Sequence, residues 1–293
     1  MVDQFAAYAN DAKPNRVCLS LDEADSGVGT PGRLRLYGEP SGSDAKLVGV
    51  SYNTAGRWNE LDKAMHRKRL GALISIAESA GVTGIWIGET NGQFGAEGGK
   101  KEIGEIKQNG DISCSPMDVP VDELAQEIRD SFDSDATPPN TGQTYTTEAI
   151  DGYQEWAQDA LGLVTIDIDV LGLNQTGEIH SLTEIKRTGI DLDEWYPYTK
   201  GKRNDMRNYN LQMNTARRIG ARPLLINHPK RGFLDSSDTV YLYNLDGDQM
   251  NTVRKQETMD TFTDDRFSYN RTNSNCEDAV SVVIGEKTWV AHP

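Results

Sequence analysis

Four charged side chains lie within the most strand-like segment of the sequence, residues 164–189. Three are carboxylates, Asp167, Asp169 and Glu184, and the fourth is the ammonium of Lys186. Successive side chains of a strand point to opposite faces, so Asp167 and Asp169 would share a face of a first strand. By the same rule Glu184 and Lys186 would share a face of a second strand. The polar sequence NQTG between them predicts a turn, and the hairpin would bring the charged faces together.

This grouping of charges predicts a particular chemistry. Carboxylates a few ångströms apart repel one another unless a cation lies among them. Oxygen ligands from Asp and Glu, with water completing the coordination, suit Mg²⁺ or Mn²⁺. The Lys186 ammonium beside such a cation could stabilise the negative charge that develops on a phosphate. The hairpin therefore predicts a metal site for phosphodiester hydrolysis, with Asp167 and Asp169 as alternative ligands from the first strand.

The spacing of these residues resembles that of the PD-(D/E)XK nuclease superfamily. In that pattern an Asp in one strand is followed by Glu-x-Lys in the next, and 14 residues separate Asp169 from Glu184 here. The sequence NLQMNTARRIGARPLLINH looks like the helix and strand that follow the lysine in archaeal Holliday-junction resolvases and their relatives. The resemblance extends over residues 148–228. The Pro expected before the Asp is Ile168 in this chain.

The resemblance implies a Mg²⁺-dependent deoxyribonuclease that leaves a 3′-hydroxyl and a 5′-phosphate. Asp169 and Glu184 would bind Mg²⁺ or Mn²⁺, Lys186 would be the catalytic lysine, and Gln212 would lie on the helix that flanks the site and the DNA. Many members of the superfamily add a Glu from the first core helix. Here Glu155 and Glu148 are both candidates for that ligand, and the sequence does not separate them.

The segment that follows the hairpin is locally basic in an acidic chain, and Tyr209 lies among its charges. Such a segment is typical of a surface that follows a phosphate backbone, and it predicts DNA as the partner. Its basic residues are Lys200, Lys202, Arg203, Arg207, Arg217 and Arg218.

The order of predicted elements indicates an α/β fold with a mixed central sheet flanked by helices, a restriction-endonuclease-like core, and a β-rich N-terminal region. A Pro-containing linker at 136–145 would separate an N-terminal α/β region of unknown role, 1–135, from the nuclease-like domain, 146–293. The superfamily core also has a helix and a strand before the Asp-bearing strand. An alternative therefore takes the helix at 58–80 and the strand after it as those elements, with 90–160 as an insertion.

Composition limits the partners and the location. The 293 residues carry a net charge of −15, with Asp in excess of Glu and few Lys, which is typical of proteins from a very salty cytoplasm and indicates a halophilic archaeon or its virus. At such ionic strength charges are screened over a few ångströms, so net charge does not exclude DNA. Three scattered cysteines and no signal peptide or membrane span predict a cytoplasmic protein. Whether it forms a homodimer is open.

Two other functions fit the same residues. One is a catalytically inactive protein of the nuclease fold that binds DNA or protein partners. The other places the main activity in residues 1–135 and leaves the hairpin a structural role. The complete set of Asp169, Glu184 and Lys186 favours the enzyme over the inactive protein, because a site that has lost its activity has no reason to keep all three.

Overall fold

The fold is taken from a computed structural model of the chain. It describes residues 3–19, 33–39, 47–54, 57–61, 63, 66–88, 100–132, 156–157, 160–189, 191–192, 206–230, 234–245 and 271–288.

Helices separate groups of consecutive strands along the chain. The helices are α1 (Gln4–Ala12), α2 (Arg67–Ala80), α3 (Val121–Ser131), α4 (Met206–Ile219) and α5 (Cys276–Val283). The strands are β1 (Val17–Leu19), β2 (Arg33–Gly38), β3 (Leu47–Thr54), β4 (Thr83–Gly88), β5 (Lys100–Gln108), β6 (Ile112–Cys114), β7 (Met117–Pro120), β8 (Val164–Asp167), β9 (Val170–Leu173), β10 (Ile179–Thr188), β11 (Arg222–Pro229), β12 (Thr239–Asn244) and β13 (Arg271–Asn275). The predicted α/β class is confirmed.

The chain forms two compact units, and neither boundary lies at the predicted linker. The first unit combines Met1–Ser20 with Ile168–Pro293, and the second is Leu21–Asp167. The linker predicted at 136–145 is outside the described residues, and the structure places the changes of unit at residues 20 and 167 instead. The division of the chain into 1–135 and 146–293 therefore does not match the compact units.

The first unit contains one six-stranded mixed sheet in the order β1-β9-β10-β11-β12-β13. Only the β10–β11 pair is parallel, and α4 is the crossover that joins its two strands. β1 is antiparallel to β9, and β9 is antiparallel to β10. The chain order of this core is thus helix, strand, strand, strand, helix, strand, with the second unit inserted between β1 and β9.

Helices cover both faces of this sheet. One face shares a core with α1 and α5, in which Phe5, Ile185 and Val280 are buried together. The other face shares a core with α4, in which Tyr209 packs with Leu225. Strand β11 is buried along nearly its whole length, as expected for a central strand covered on both faces.

The predicted turn between the hairpin strands is confirmed. The Asn174 Oδ1 accepts hydrogen bonds from the backbone N–H groups of Thr176 and Glu178, at 2.9 Å each. Gly177 has φ of 85°, a left-handed conformation that glycine adopts without strain. The turn therefore joins β9 to β10 as the local sequence predicts.

The second unit is β-rich, as predicted for the N-terminal region. Its seven-stranded sheet has the order β6-β5-β4-β3-β2-β8, with β7 paired to β5. Strand β4 is parallel to β3 in this sheet, and α2 lies between them in the chain. Since α2 and β4 belong to the second unit, the alternative that made them the first helix and strand of the core is wrong.

The structure also corrects the first strand of the predicted hairpin. Residues 164–173 form two strands in different sheets, because β8 pairs with β2 while β9 pairs with β1 and β10. None of the helices among the described residues has both the length and the apolar character that a membrane span requires.

Candidate active site

Glu184 and Lys186 lie on β10 and point to the face of the sheet that α4 covers. Ile185 between them belongs to the core on the opposite face, so strand alternation places both charges on the α4 side. The Lys186 Nζ is 2.7 Å from the Glu184 Oε1, and the two side chains are 31% and 12% exposed. The structure thus holds an ion pair that is half-buried and within reach of solvent.

Asp169 joins this pair from the neighbouring strand. The ladder between β9 and β10 ends at the pair Val170 and Thr183, so the next position would bring Asp169 opposite Glu184. The Asp169 Oδ2 instead accepts a hydrogen bond from the backbone N–H of Ile185, at 2.7 Å. This bond replaces the missing rung of the ladder and holds the Asp169 carboxylate beside the Glu184–Lys186 segment.

Two further residues lie on this face: Tyr209, which the sequence placed only among the charges of the basic segment, and Asn227, which the sequence analysis did not single out. The Tyr209 ring of α4 is buried, and its centroid is 6.0 Å from the Lys186 Nζ, a cation–π distance. Asn227 of β11 is the register partner of Lys186 in the parallel ladder. Asn227 lies between Ile226 and His228 on β11. Because Ile226 belongs to the core on the opposite face, strand alternation turns Asn227 towards α4. A sequence signal existed, because Asn227 interrupts the apolar run LLI of a strand that is buried on both faces.

Asp167 does not belong to this group, and its prediction as a metal ligand is corrected. It lies in β8 of the second unit, where the Arg33 Nη1 donates a hydrogen bond to its Oδ2 at 2.7 Å. The Arg35 Nη1 is 2.9 Å from its Oδ1, an ion pair by distance although its geometry is not that of a hydrogen bond. With two guanidinium groups beside it, the Asp167 carboxylate does not need a metal ion.

The prediction that Gln212 contacts DNA is also corrected. It lies on the helix that flanks the site, as predicted, but its side chain is fully buried. Its Nε2 donates to the backbone carbonyls of Leu182 and Leu224, at 2.8 and 2.9 Å. These bonds attach α4 to the two central strands, so Gln212 supports the sheet and does not face DNA.

The remaining predicted residues are only partly described. Arg217 and Arg218 are exposed in the last turn of α4, where positive charge also suits the helix dipole. Arg207 lies in the first turn of α4, and its side chain is not described. The other predicted positions lie outside the described residues: Glu148, Glu155, Lys200, Lys202 and Arg203.

The residues that the structure brings together can be tested as a Mg²⁺ site. Within the described part of the chain, no three His, Cys, Asp or Glu side chains converge as a metal-binding group. Mg²⁺, however, is commonly held by one or two carboxylates together with substrate phosphates and waters. Asp169 and Glu184 are two such carboxylates, and Lys186 leaves the group with a net charge of about −1 by formal counting. The donor set fits one divalent cation.

Comparison with known proteins finds no family model that matches the chain, no similar curated protein and no similar solved structure. The assignment of the site therefore depends on the geometry of the chain itself.

Proposed function

We propose that this protein is a metal-dependent DNA nuclease that hydrolyses phosphodiester bonds at Asp169, Glu184 and Lys186. The observation that carries the proposal is the hydrogen bond from the Ile185 backbone N–H to the Asp169 carboxylate, beside the ion pair of Glu184 and Lys186. It brings two carboxylates and one ammonium together from neighbouring strands. That is the residue set that the resemblance to the PD-(D/E)XK superfamily implies.

The connectivity of the first unit supports the proposal. The superfamily pattern requires a helix and a strand before the Asp-bearing strand, which the sequence alone did not locate. Helix α1 and strand β1 occupy those places, since β1 is antiparallel to β9 in the same sheet. The helix and strand that should follow the lysine correspond to α4 and β11. The second unit lies between β1 and β9 in the chain, so α1 and β1 are distant in sequence from the Asp-bearing segment.

Each of the three side chains has a role that follows from its position. The Asp169 and Glu184 carboxylates would hold a divalent cation, which when bound polarises a phosphate and activates water. The Lys186 ammonium would stand beside the scissile phosphate and stabilise the negative charge on its oxygens in the transition state. The Ile185 N–H orients the Asp169 carboxylate before any ligand arrives, so less reorganisation is needed on binding.

DNA as the substrate is supported by the exposed guanidinium groups of Arg217 and Arg218 at one end of α4. Charge screening at high salt would reduce the repulsion between DNA and the acidic remainder of the chain. A cytoplasmic location is part of the proposal and agrees with Cys114 and Cys276, which are thiols and not disulfides.

Cleavage of linear, circular and branched DNA tests the proposal, with Mg²⁺ or Mn²⁺ and at low and multimolar salt. Glu184→Ala and Lys186→Ala should each abolish cleavage while circular dichroism remains that of the wild type. The chain offers a matched control, because Glu105 and Lys107 of β5 form the same Glu-Ile-Lys sequence with the same 2.7 Å ion pair. Lys107→Ala should cleave like the wild type.

The outcomes separate the two leading functions. Cleavage that survives in both Glu184→Ala and Lys186→Ala contradicts the proposed site. A wild-type protein that binds DNA but leaves every substrate intact under all these conditions supports the alternative, a catalytically inactive protein of the same fold.

A further inference from the structure

Asn227 is a buried amide without a described role. Its side chain has no exposed surface, and neither its Oδ1 nor its Nδ2 has a hydrogen-bond partner among the described residues. A buried polar group that lacks a partner costs about 1–3 kcal/mol, so such groups are rare in folded proteins. Both polar atoms of the Asn227 side chain can therefore form a further hydrogen bond.

The position of Asn227 indicates the partner of that hydrogen bond. It is the register partner of Lys186 in the parallel β10–β11 ladder, and the two side chains share the face covered by α4. Neighbouring strands are about 4.8 Å apart, so an ammonium on a long side chain can reach the adjacent amide. The other register neighbour of Asn227 on this face is Tyr241 of β12, which is also buried.

The ion pair of Lys186 supplies the reason for a second acceptor. In the structure the Lys186 ammonium is 2.7 Å from the Glu184 Oε1. When the Glu184 carboxylate binds a cation, its attraction for the Lys186 ammonium is weaker. The bound cation and the ammonium also repel each other. Lys186 can then turn to a further acceptor close to the site, and the Asn227 Oδ1 is a buried oxygen on the same face with no hydrogen-bond partner among the described residues.

We propose that Asn227 is a positioning residue for Lys186, accepting its ammonium when Glu184 binds a divalent cation. The inference rests on the proposed nuclease function and adds to it an acceptor for Lys186, the Asn227 Oδ1, that takes over from Glu184 when Glu184 binds the cation. Asn227 thereby lowers the competition between Lys186 and the cation for Glu184, and it keeps the ammonium beside the substrate phosphate.

The affinity for Mn²⁺, measured by isothermal titration calorimetry, tests this in the full-length protein. Asn227→Leu should weaken Mn²⁺ binding by about 10- to 100-fold, the usual effect of losing a residue that supports a metal ligand. In Lys186→Ala the competitor is gone, so adding Asn227→Leu should cause no further loss. This double-mutant cycle separates action through Lys186 from a general effect on folding. A general effect would weaken Mn²⁺ binding by the same factor in the wild-type and Lys186→Ala backgrounds.

Controls for the fold accompany the cycle. Asn227→Leu should unfold at the wild-type temperature or above, because the amide that it removes has no described partner. Asn227→Ala serves if the longer side chain does not fit. Thr165→Val is a matched control, since the Thr165 Oγ1 is also a buried oxygen without a described partner but belongs to the second unit. It should bind Mn²⁺ like the wild type.

DNA cleavage by the same variants gives a second measurement. Asn227→Leu should lower kcat with little change in KM, because the proposed contact acts on Lys186 and not on the DNA. Wild-type Mn²⁺ affinity in Asn227→Leu, or an equal loss in the Lys186→Ala background, overturns the inference even if the protein is a nuclease. Mn²⁺ binding with the expected cycle but no cleavage supports the inference and overturns the nuclease proposal. A wild-type protein that binds no Mn²⁺ overturns both.

Discussion

The tripeptide Glu-Ile-Lys occurs in one strand of each unit, and the two copies share their internal geometry but differ in their surroundings. Lys107 is 2.7 Å from Glu105 on β5, and Lys186 is 2.7 Å from Glu184 on β10. In both copies the isoleucine is buried. The charged pair on β5 is about half-exposed, at 50% and 54%, whereas Glu184 is only 12% exposed.

The surroundings explain why only one copy is a candidate site. The β10 copy has the Asp169 carboxylate on one side, the buried Asn227 amide on the other and the Tyr209 ring nearby. An exposed pair such as that on β5 contributes little to stability, because water competes with it and salt screens it. The same three residues thus form a surface ion pair in one unit and the centre of a charged cluster in the other.

The two aspartates of the sequence DID extend this comparison. Asp167 lies beside Arg33 and Arg35, a group in which positive charge is in excess. Asp169 lies beside the pair of Glu184 and Lys186, a group in which negative charge is in excess. Only the second group favours a bound cation.

The largest expected effect is on cleavage. Asp169→Asn removes the negative charge of one of the two proposed metal ligands, so the rate of Mg²⁺-dependent cleavage should fall by about a hundredfold. Asp167→Asn should cleave at the wild-type rate per folded molecule, measured at a temperature at which both variants are folded. Equal losses in the two variants would remove the distinction between the aspartates.

The second effect is on stability, and here Asp167→Asn should have the larger effect of the two variants. Asp167→Asn removes the carboxylate beside Arg33 and beside Arg35, whose side chain is 1% exposed. Removing one partner of a buried ion pair should lower the free energy of unfolding by about 3 kcal/mol, measured by urea denaturation. Asp169→Asn keeps a side-chain oxygen for the Ile185 N–H and should cost less. A smaller loss in Asp167→Asn than in Asp169→Asn would contradict this assignment.

A third prediction separates the buried and exposed residues of α4. Gln212→Leu leaves the Leu182 and Leu224 carbonyls without their donor and should destabilise the protein by about 1–3 kcal/mol. Arg218→Ala should change stability by less than about 0.5 kcal/mol. It should instead weaken DNA binding and reduce the slope of log Kd against the logarithm of the salt concentration by about 1, the value expected for one lost phosphate contact. Arg218→Lys, which keeps the charge, is the control, and an unchanged salt dependence in Arg218→Ala would exclude this residue from the DNA surface.

The smallest expected effect concerns pH and His180, which lies on the same strand as the site. Burial, and then the charges of Arg222 and Arg16, lower the pKa of His180 below its ordinary value of 6.5. The unfolded chain therefore binds more protons than the folded protein as the pH falls below about 6.5, and stability is lost in that direction. His180→Gln should reduce the loss of stability between pH 7 and pH 5, followed by thermal unfolding. Arg222→Gln should reduce it in part, and an unchanged pH dependence in His180→Gln would exclude this histidine as its source.

Several parts of the fold and site followed from local sequence. The turn at Asn174–Gly177 follows from a side chain that bonds its own backbone and from a glycine with positive φ. The shared face of Glu184 and Lys186 follows from the alternation of a strand. The α/β class follows from the order of apolar periods along the chain. All three depend on interactions between residues that are near in sequence, and such interactions are readable without a tertiary structure.

Local sequence misassigned Asp167 and Gln212 for a common physical reason. The alternation that placed Asp167 and Asp169 on one face assumes a single continuous strand, but the chain leaves one sheet at Asp167 and enters another at Val170. The resemblance placed Gln212 at the DNA, but its amide donates to carbonyls of strands that only the folded sheet brings beneath the helix. Asn227 was overlooked because its meaning depends on the strand beside it.

By itself the sequence determined the turn, the alternation within β10 and the charged residues that a catalytic site would need. Only the tertiary structure decided that β1 pairs with β9 across residues 20–169, because strand pairing at that separation leaves no local periodic pattern. It also decided which of two adjacent aspartates and which of two Glu-Ile-Lys segments lie in the charged cluster. The reason is electrostatic, since the state of a charged group depends on its neighbours in space and on its burial, and residue type alone specifies neither.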